Sequence, residues 1–154
     1  MGRELRRVPV NWEHPRDVFG QLQPLYDRAY EDAAKEWLAR FMAYRPEDHN
    51  GEYYWDYAGP PPDKHYYRPA WTEAEATHFQ VYETVTEGTP VSPVLPTRET
   101  VAEWLQRPGK YQGYRKAAAE AFARDGWAPS GVLVPGLGWM DGMEGLSLLA
   151  NKEE

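Results

Sequence analysis

Histidines, carboxylates and tyrosines are the residues of this chain that could do chemistry; cysteine is absent. The histidines are His14, His49, His65 and His78, and no two stand at the spacing of ligands on one helix face. Two lie in short acid–histidine clusters: "DHNGE", with Asp48, His49 and Glu52, and "DKH", with Asp63 and His65. Imidazole with carboxylate suits zinc or manganese. One reading is therefore a small metal-dependent hydrolase or nuclease that uses His49, His65, His78 and nearby acids. Against it, acids and histidines are ordinary in solvated loops, and no metal or other cofactor is assigned. Glu83 and Glu87 flank a turn, with His78 upstream and Tyr82 beside them. A strand acid on an apolar face would have a raised pKa, as a general acid needs. The simpler expectation is that Glu83 pairs with an arginine and Glu87 is a turn residue. A Cys–His pair cannot form, and there is no G-x-S-x-G elbow. "PGLGWMDG" lacks the lysine and hydroxyl of a phosphate loop. The chain is expected not to be an enzyme.

The elements that must position these residues are bounded by composition. A chain of 154 residues, 42% hydrophobic, is expected to fold as one domain, 1–154, with a modest core. Seven Trp and eleven Tyr stand against four Phe, so much of the apolar surface carries a polar handle suited to core edges or interfaces. A net charge of −7 argues against direct nucleic-acid binding, which needs a basic surface. It fits a surface complementary to a basic partner. No apolar run reaches the length of a bilayer span, and "MGRELRRVPV" has no hydrophobic region after its basic residues. No membrane contact and a cytoplasmic location are expected.

Residues 1–11 read as an extended arm, an edge strand through Val8 and Val10 or a loose segment, because Pro9 disfavours helix at Val8. "NWEHPRDVFGQLQ" gives mixed signals around one helical turn after Pro15. From Pro24 to about Tyr44 the spacing of Leu25, Ala29, Ala33, Trp37, Phe41 and Tyr44 predicts an amphipathic helix, with Tyr26, Tyr30 and Leu38 widening the stripe. Pro24 suits its first position. Glu31–Lys35 and Glu36–Arg40 are oriented as favourable pairs. Residues 45–71 predict a long proline- and aromatic-rich loop with a turn at Asn50–Gly51. Residues 72–154 predict strand, turn, helix, helix and hairpin. "THFQVYETVT" alternates as a strand, and Pro93 marks an edge piece. Thr97 caps a helix over "RETVAEWLQR", ended by Pro108–Gly109. "GYRKAAAEAFARDG" is a helix closed by Gly126, and "GVLVPGLGWMDG" is a hairpin. The fold class is α+β, three helices packed on a small antiparallel sheet.

With no catalytic constellation, the leading signal is an acidic, aromatic, proline-stiffened segment. Asp27 through Asp63 holds nine acids and four bases, while Arg98 to Asp125 holds six bases and four acids. Between Glu47 and Asp63 the only charges are acidic, which disfavours stacking on single-stranded nucleic acid. The segment could dock on a basic protein or ribonucleoprotein surface, its carboxylates standing in for a row of phosphates. The candidate partner-binding residues are Glu31, Asp32, Glu52, Tyr53, Tyr54, Trp55, Asp56 and Tyr57. The plainer alternative is a solvated helix face and a loop packed over the core.

The start "GRELRRVP" and the stretch "HFQVYETVTEGTPVSPVLPTRETVAEWL" resemble a set of small phage and prophage proteins. In those, a similar start is followed, after a variable middle, by a segment like "YETVSEGTPISPVFAT" and an acidic helix. The tail "GWAPSGVLVPGLGWMDG" is also similar. Some longer members carry cysteine pairs of zinc-binding type; this chain has none, so no metal site is carried over. The resemblance implies a bacteriophage or prophage setting and supplies no catalytic residues. By analogy with anti-CRISPR proteins, it implies a non-enzymatic inhibitor of a host defence or nucleic-acid-handling complex, acting by protein–protein interaction. A virion or assembly accessory is the remaining alternative.

Overall fold

Strict alternation in "HFQVYE" demands two faces, Phe79, Val81 and Glu83 on one and His78, Gln80 and Tyr82 on the other. The computed structural model, which describes residues 2–86 and 88–151, places them so. In chain order the elements are β1 (Arg3–Val8), β2 (Tyr26–Ala29), α1 (Tyr30–Ala43), α2 (Tyr54–Ala58), β3 (Tyr67–Arg68), β4 (His78–Glu83) and β5 (Thr89–Pro90). Then follow α3 (Arg98–Gln106), α4 (Lys116–Asp125), β6 (Trp127–Ala128), β7 (Gly131–Val134), β8 (Gly138–Asp141) and α5 (Gly142–Asn151). The chain, read from its length as one domain, gathers its backbone contacts into two compact units. The first holds the described residues up to Pro24 and from Trp71 onward; the second is 25–70.

The first unit is a four-stranded antiparallel sheet in the order β5-β4-β1-β6, with helices and a β7–β8 hairpin. The fold is thus mixed α and β as expected, but it has five α-helices among the described residues where three were predicted. Leu5 pairs with Val81 and Arg7 with Phe79. On this face Val81 joins Val101, Leu105, Ala119, Phe122, Ala123, Ala128 and Met143 in the core. α3 starts as predicted: Thr97 Oγ1 accepts from the Thr100 N–H, and the Thr100 hydroxyl accepts from the Thr97 N–H, a reciprocal cap. α4 ends at Gly126, whose φ of 78° suits glycine.

Three expectations are corrected. Residues 3–8 are not an edge arm but an inner strand, paired with both β4 and β6. A basic strand can be interior here because its arginines have partners. The Arg3 guanidinium lies over the rings of Tyr111 and Tyr114. Arg6 lies 4.1 Å from the Tyr82 ring centroid and pairs with Glu4. Opposite Arg3 in register stands Glu83, also buried. The second correction is at Pro24, which does not open the helix. Tyr26–Ala29 is extended and pairs in parallel with Tyr67–Arg68, tied by the Asp27–Arg68 ion pair, so α1 starts at Tyr30. The third is α5, which was not predicted because Gly142 and Gly145 depress helix propensity. They are there for close approach: a Cβ at Gly142 would overlap the Pro129 carbonyl, and one at Gly145 the Val132 side chain. Among the described residues no helix is long and apolar enough to cross a membrane.

Candidate functional site

In the second unit, the loop predicted over 45–71 folds into short elements. A 3₁₀ turn at Pro46–His49 ends in Asn50, whose φ of 57° is left-handed and leads into Gly51. α2 follows, then a second 3₁₀ turn at Lys64–Tyr66, opened by the Asp63 carboxylate accepting from the His65 N–H. Aromatic rings bind this segment to α1. Tyr54 sits edge-on to Trp37 (5.2 Å) and Phe41 (5.7 Å), and 5.1 Å from Tyr44. Tyr44 stacks on His49, which lies 4.2 Å from Tyr57. The Tyr44 hydroxyl donates to the Glu52 carbonyl at 2.6 Å, and the Trp37 indole N–H to Gly59 O. Each such ring pair adds about 0.5–1.5 kcal/mol beyond its burial, so this segment is held without a large aliphatic core.

The packing leaves apolar surface outside. Tyr53 is 78% exposed, and Trp55, Tyr57 and Phe41 are about half exposed, with Leu38 and Met42 also open. Glu47, Asp48, Glu52 and Asp56 are exposed on the same segment. Their charge is felt locally: burial first, then Glu52, Tyr57 and Asp56, raise the pKa of the Tyr44 hydroxyl.

Of the predicted contact residues, Glu52, Tyr53, Trp55, Asp56 and Tyr57 are all exposed on this segment. Tyr54 faces inward, 6% exposed, and serves packing. Glu31 and Asp32 are exposed in the first turn of α1, where negative charge suits the helix dipole. They stand about 15 Å along the axis from the Phe41 end that holds Tyr54. Phe41, Leu38 and Met42 were missed as surface. The signal was available, because an apolar stripe that wide on one helix exceeds what a single core covers. Behind the face, Arg28 and Arg40 both pair with Glu36. The Arg28 hydrogen bond and charge hold the Glu36 carboxyl below its ordinary pKa.

The histidines do not gather. His49 is stacked on Tyr44 and tilted against Tyr57; the His65 N–H, and then its ring at 2.9 Å, lower the Asp63 pKa. His78 Nδ1 faces the Thr77 hydroxyl. Among the described residues no group of three or more histidines and acids could hold a metal ion. Glu87 lies outside the described residues, so the Glu83–Glu87 pair is not seen.

A separate polar cluster lies on the far face of the sheet in the first unit. His14 Nδ1 is 2.9 Å from the Tyr82 hydroxyl and its Nε2 is 2.5 Å from Gln23 O. Because a carbonyl only accepts, Nε2 carries a proton. The Trp12 indole N–H donates to the Tyr82 oxygen, and Gln80 Oε1 lies 3.1 Å from it. Burial lowers the His14 pKa, with Arg6 and Arg16 adding to it against the Gln23 hydrogen bond. Both ring nitrogens are engaged and Tyr82 is 1% exposed, so the cluster anchors residues 12–23 to the sheet and presents no reactive atom.

Compared with known protein families, curated proteins and solved structures, the chain finds no match.

Proposed function

We propose that this chain is a phage-encoded, non-enzymatic binding protein that inhibits a host defence or nucleic-acid-handling complex, in the manner of an anti-CRISPR protein, by covering a basic surface. The observation that carries this reading is the face around α2. There Tyr53, Trp55 and Tyr57 stand exposed among Glu47, Asp48, Glu52 and Asp56, with no lysine or arginine from Glu47 to Asp63. Large, stiff aromatic rings bring contact area at low entropic cost. Flanking carboxylates steer toward positive charge and repel nucleic acid. Arginines of a nucleic-acid channel would meet both ring faces and carboxylates, through cation–π contact and ion pairing. Glu31 and Asp32, at the other end of α1, extend the negative field.

The test is charge reversal. Glu52→Lys with Asp56→Lys should abolish retention of the host complex in a pull-down read by mass spectrometry. The melting free energy should stay within about 0.5 kcal/mol, as for ordinary surface changes. Undiminished retention by the double variant would defeat the assignment. Retention of another copy of the chain alone would move the reading to an assembly role.

A further inference from the structure

One segment of the first unit serves none of the roles above. Pro15–Gln23 folds into a tight hairpin closed at every level. The Gln23 N–H donates to Pro15 O at 3.0 Å, the Asp17 N–H to Gln21 O at 2.7 Å, and the Gly20 N–H to Asp17 O at 3.0 Å. Asp17 Oδ1 accepts from both the Phe19 and Gln21 N–H groups. Arg16 Nη1 donates to Gly20 O at 2.7 Å, and Arg16 bridges Leu22. Gly20 supplies the positive φ of 78° that the turn requires. At the base, His14 fastens Gln23 to Tyr82 of the sheet.

All of this order ends in two apolar side chains in water: Val18 is 94% exposed and Phe19 is 86% exposed. The turn chemistry needs Asp17 and Gly20 but makes no demand on the side chains at 18 and 19, where polar residues would serve as well. Buried nowhere, the pair gives the fold nothing. A loose loop could fold such residues back; this one is pinned outward.

We infer that Pro15–Gln23 is a pre-organised recognition finger that inserts Phe19, with Val18 beside it, into an apolar pocket of a protein partner. The shape is convex, so the complement is concave. Rigidity before contact lowers the entropy lost on binding. Burying both side chains removes on the order of 300 Å² from water. A tip-to-tip dimer of this chain would bury about twice that, short of the roughly 1,200 Å² of a stable interface, so a second copy is not the occupant. A lipid surface is disfavoured as well. The chain carries −7, and the cation nearest in sequence, Arg16, is committed to the turn, whereas interfacial insertion into anionic membranes uses basic flanks. A protein pocket sized for one phenyl ring remains, with the finger as the anchor of a larger contact.

The inference is independent of the acidic face and is tested apart from it. Full-length protein carrying p-benzoylphenylalanine at position 19 is irradiated in clarified host lysate and, separately, with phosphatidylcholine–phosphatidylglycerol vesicles. The expected result is one protein adduct, mapped to residues lining an apolar pocket. Excess unlabelled wild type should suppress it, and Phe19→Ser should suppress it about 30-fold less well at unchanged melting temperature. The Glu52→Lys/Asp56→Lys variant should yield the same adduct. Backbone order parameters at 18–20 should be near 0.85, and should fall in Asp17→Ala, which should also compete poorly although Phe19 is intact. Four results would overturn the inference: order parameters below about 0.6 in the wild type; equal competition by Phe19→Ser; adducts only to lipid or to a second copy; or no competed adduct.

Discussion

The two units of this chain solve the same problem with different materials. In the first, a patterned sheet and short helices bury Val81, Val101, Leu105 and Phe122 almost completely. In the second, rings pack on rings, Ala33 and Tyr54 are the buried members of α1 and α2, and Phe41, Trp55 and Tyr57 are each half in water. Aliphatic burial grows with area, yet this unit also leaves Val18, Phe19, Leu137 and Trp139 outside, in its turn and hairpin segments. Aromatic clustering holds a small unit together while the outer edge of each ring stays available. The unit with the smaller buried core sets its exposed rings among carboxylates, and that is where docking on a basic surface is proposed.

Substitutions sharpen the contrast, and the largest effect belongs to the first unit. Phe122→Ala, at a site 2% exposed, should cost about 3–5 kcal/mol in urea unfolding. A loss near 1 kcal/mol would mean the core is looser than its burial indicates. Next, Tyr54→Ala removes the ring shared by Trp37, Phe41 and Tyr44 and should cost about 2–3 kcal/mol. Hydrogen exchange should rise across 30–58 while the β1 and β4 amides stay protected. Uniform loss of protection would merge the two units into one cooperative body. Thr97→Ala, which opens the reciprocal cap of α3, should cost about 1 kcal/mol, with a fall in the melting temperature of the first unit.

The smallest effect is one of pH. The unfolded His14 ring takes up a proton near pH 6.5; the folded ring, its pKa lowered by burial and then by Arg6 and Arg16, does so only at lower pH. The stability that depends on the neutral ring is present above about pH 6.5 and is lost as pH falls toward the folded value. A melting-temperature series should show this slope in the wild type and lose it in His14→Gln. The lowered carboxyls of Glu36, Asp63 and Asp125 act in a more acid window.

Much of the first unit was legible in the sequence because its signals are local and agree. The alternation of 78–83, Thr97 as cap, Gly126 as stop and the 131–141 hairpin all stand where spacing puts them. β1 was misread because Arg3, Arg6 and Arg7 look like surface residues. Their partners, the rings of Tyr111, Tyr114 and Tyr82 and the Ala76 carbonyl, lie far along the chain. α1 was extended too far back because 24–29 keeps helical spacing while the backbone pairs with 67–68. In the candidate site, composition located the acidic aromatic segment but could not sort its rings. Tyr53 and Tyr54 are neighbours of one type, and only the packing against Trp37 separates the outer from the inner. The Val18–Phe19 tip was read as mixed signal because two apolar residues beside a turn have no period.

The position of β1 inside its sheet sets a timetable for the chain. Arg3–Val8 finds its first partner at 78–83 and its second at 127–128, and the Gly2 N–H reaches Ser130 Oγ across 128 positions. Synthesis runs from the N-terminus, so β1 waits while everything between is made. Residues 25–70, whose ring contacts lie within themselves, can be complete before that strand has anything to pair with. Holding the ends of the intervening stretch together costs only about 0.6 kcal/mol for each doubling of its length. Added length within 25–70 is thus a small term in closing the sheet that brackets it, whereas Trp12, His14 and Ala76, which bond to the sheet itself, belong to its stability. Closure of that sheet therefore tolerates extra length within 25–70 at little cost.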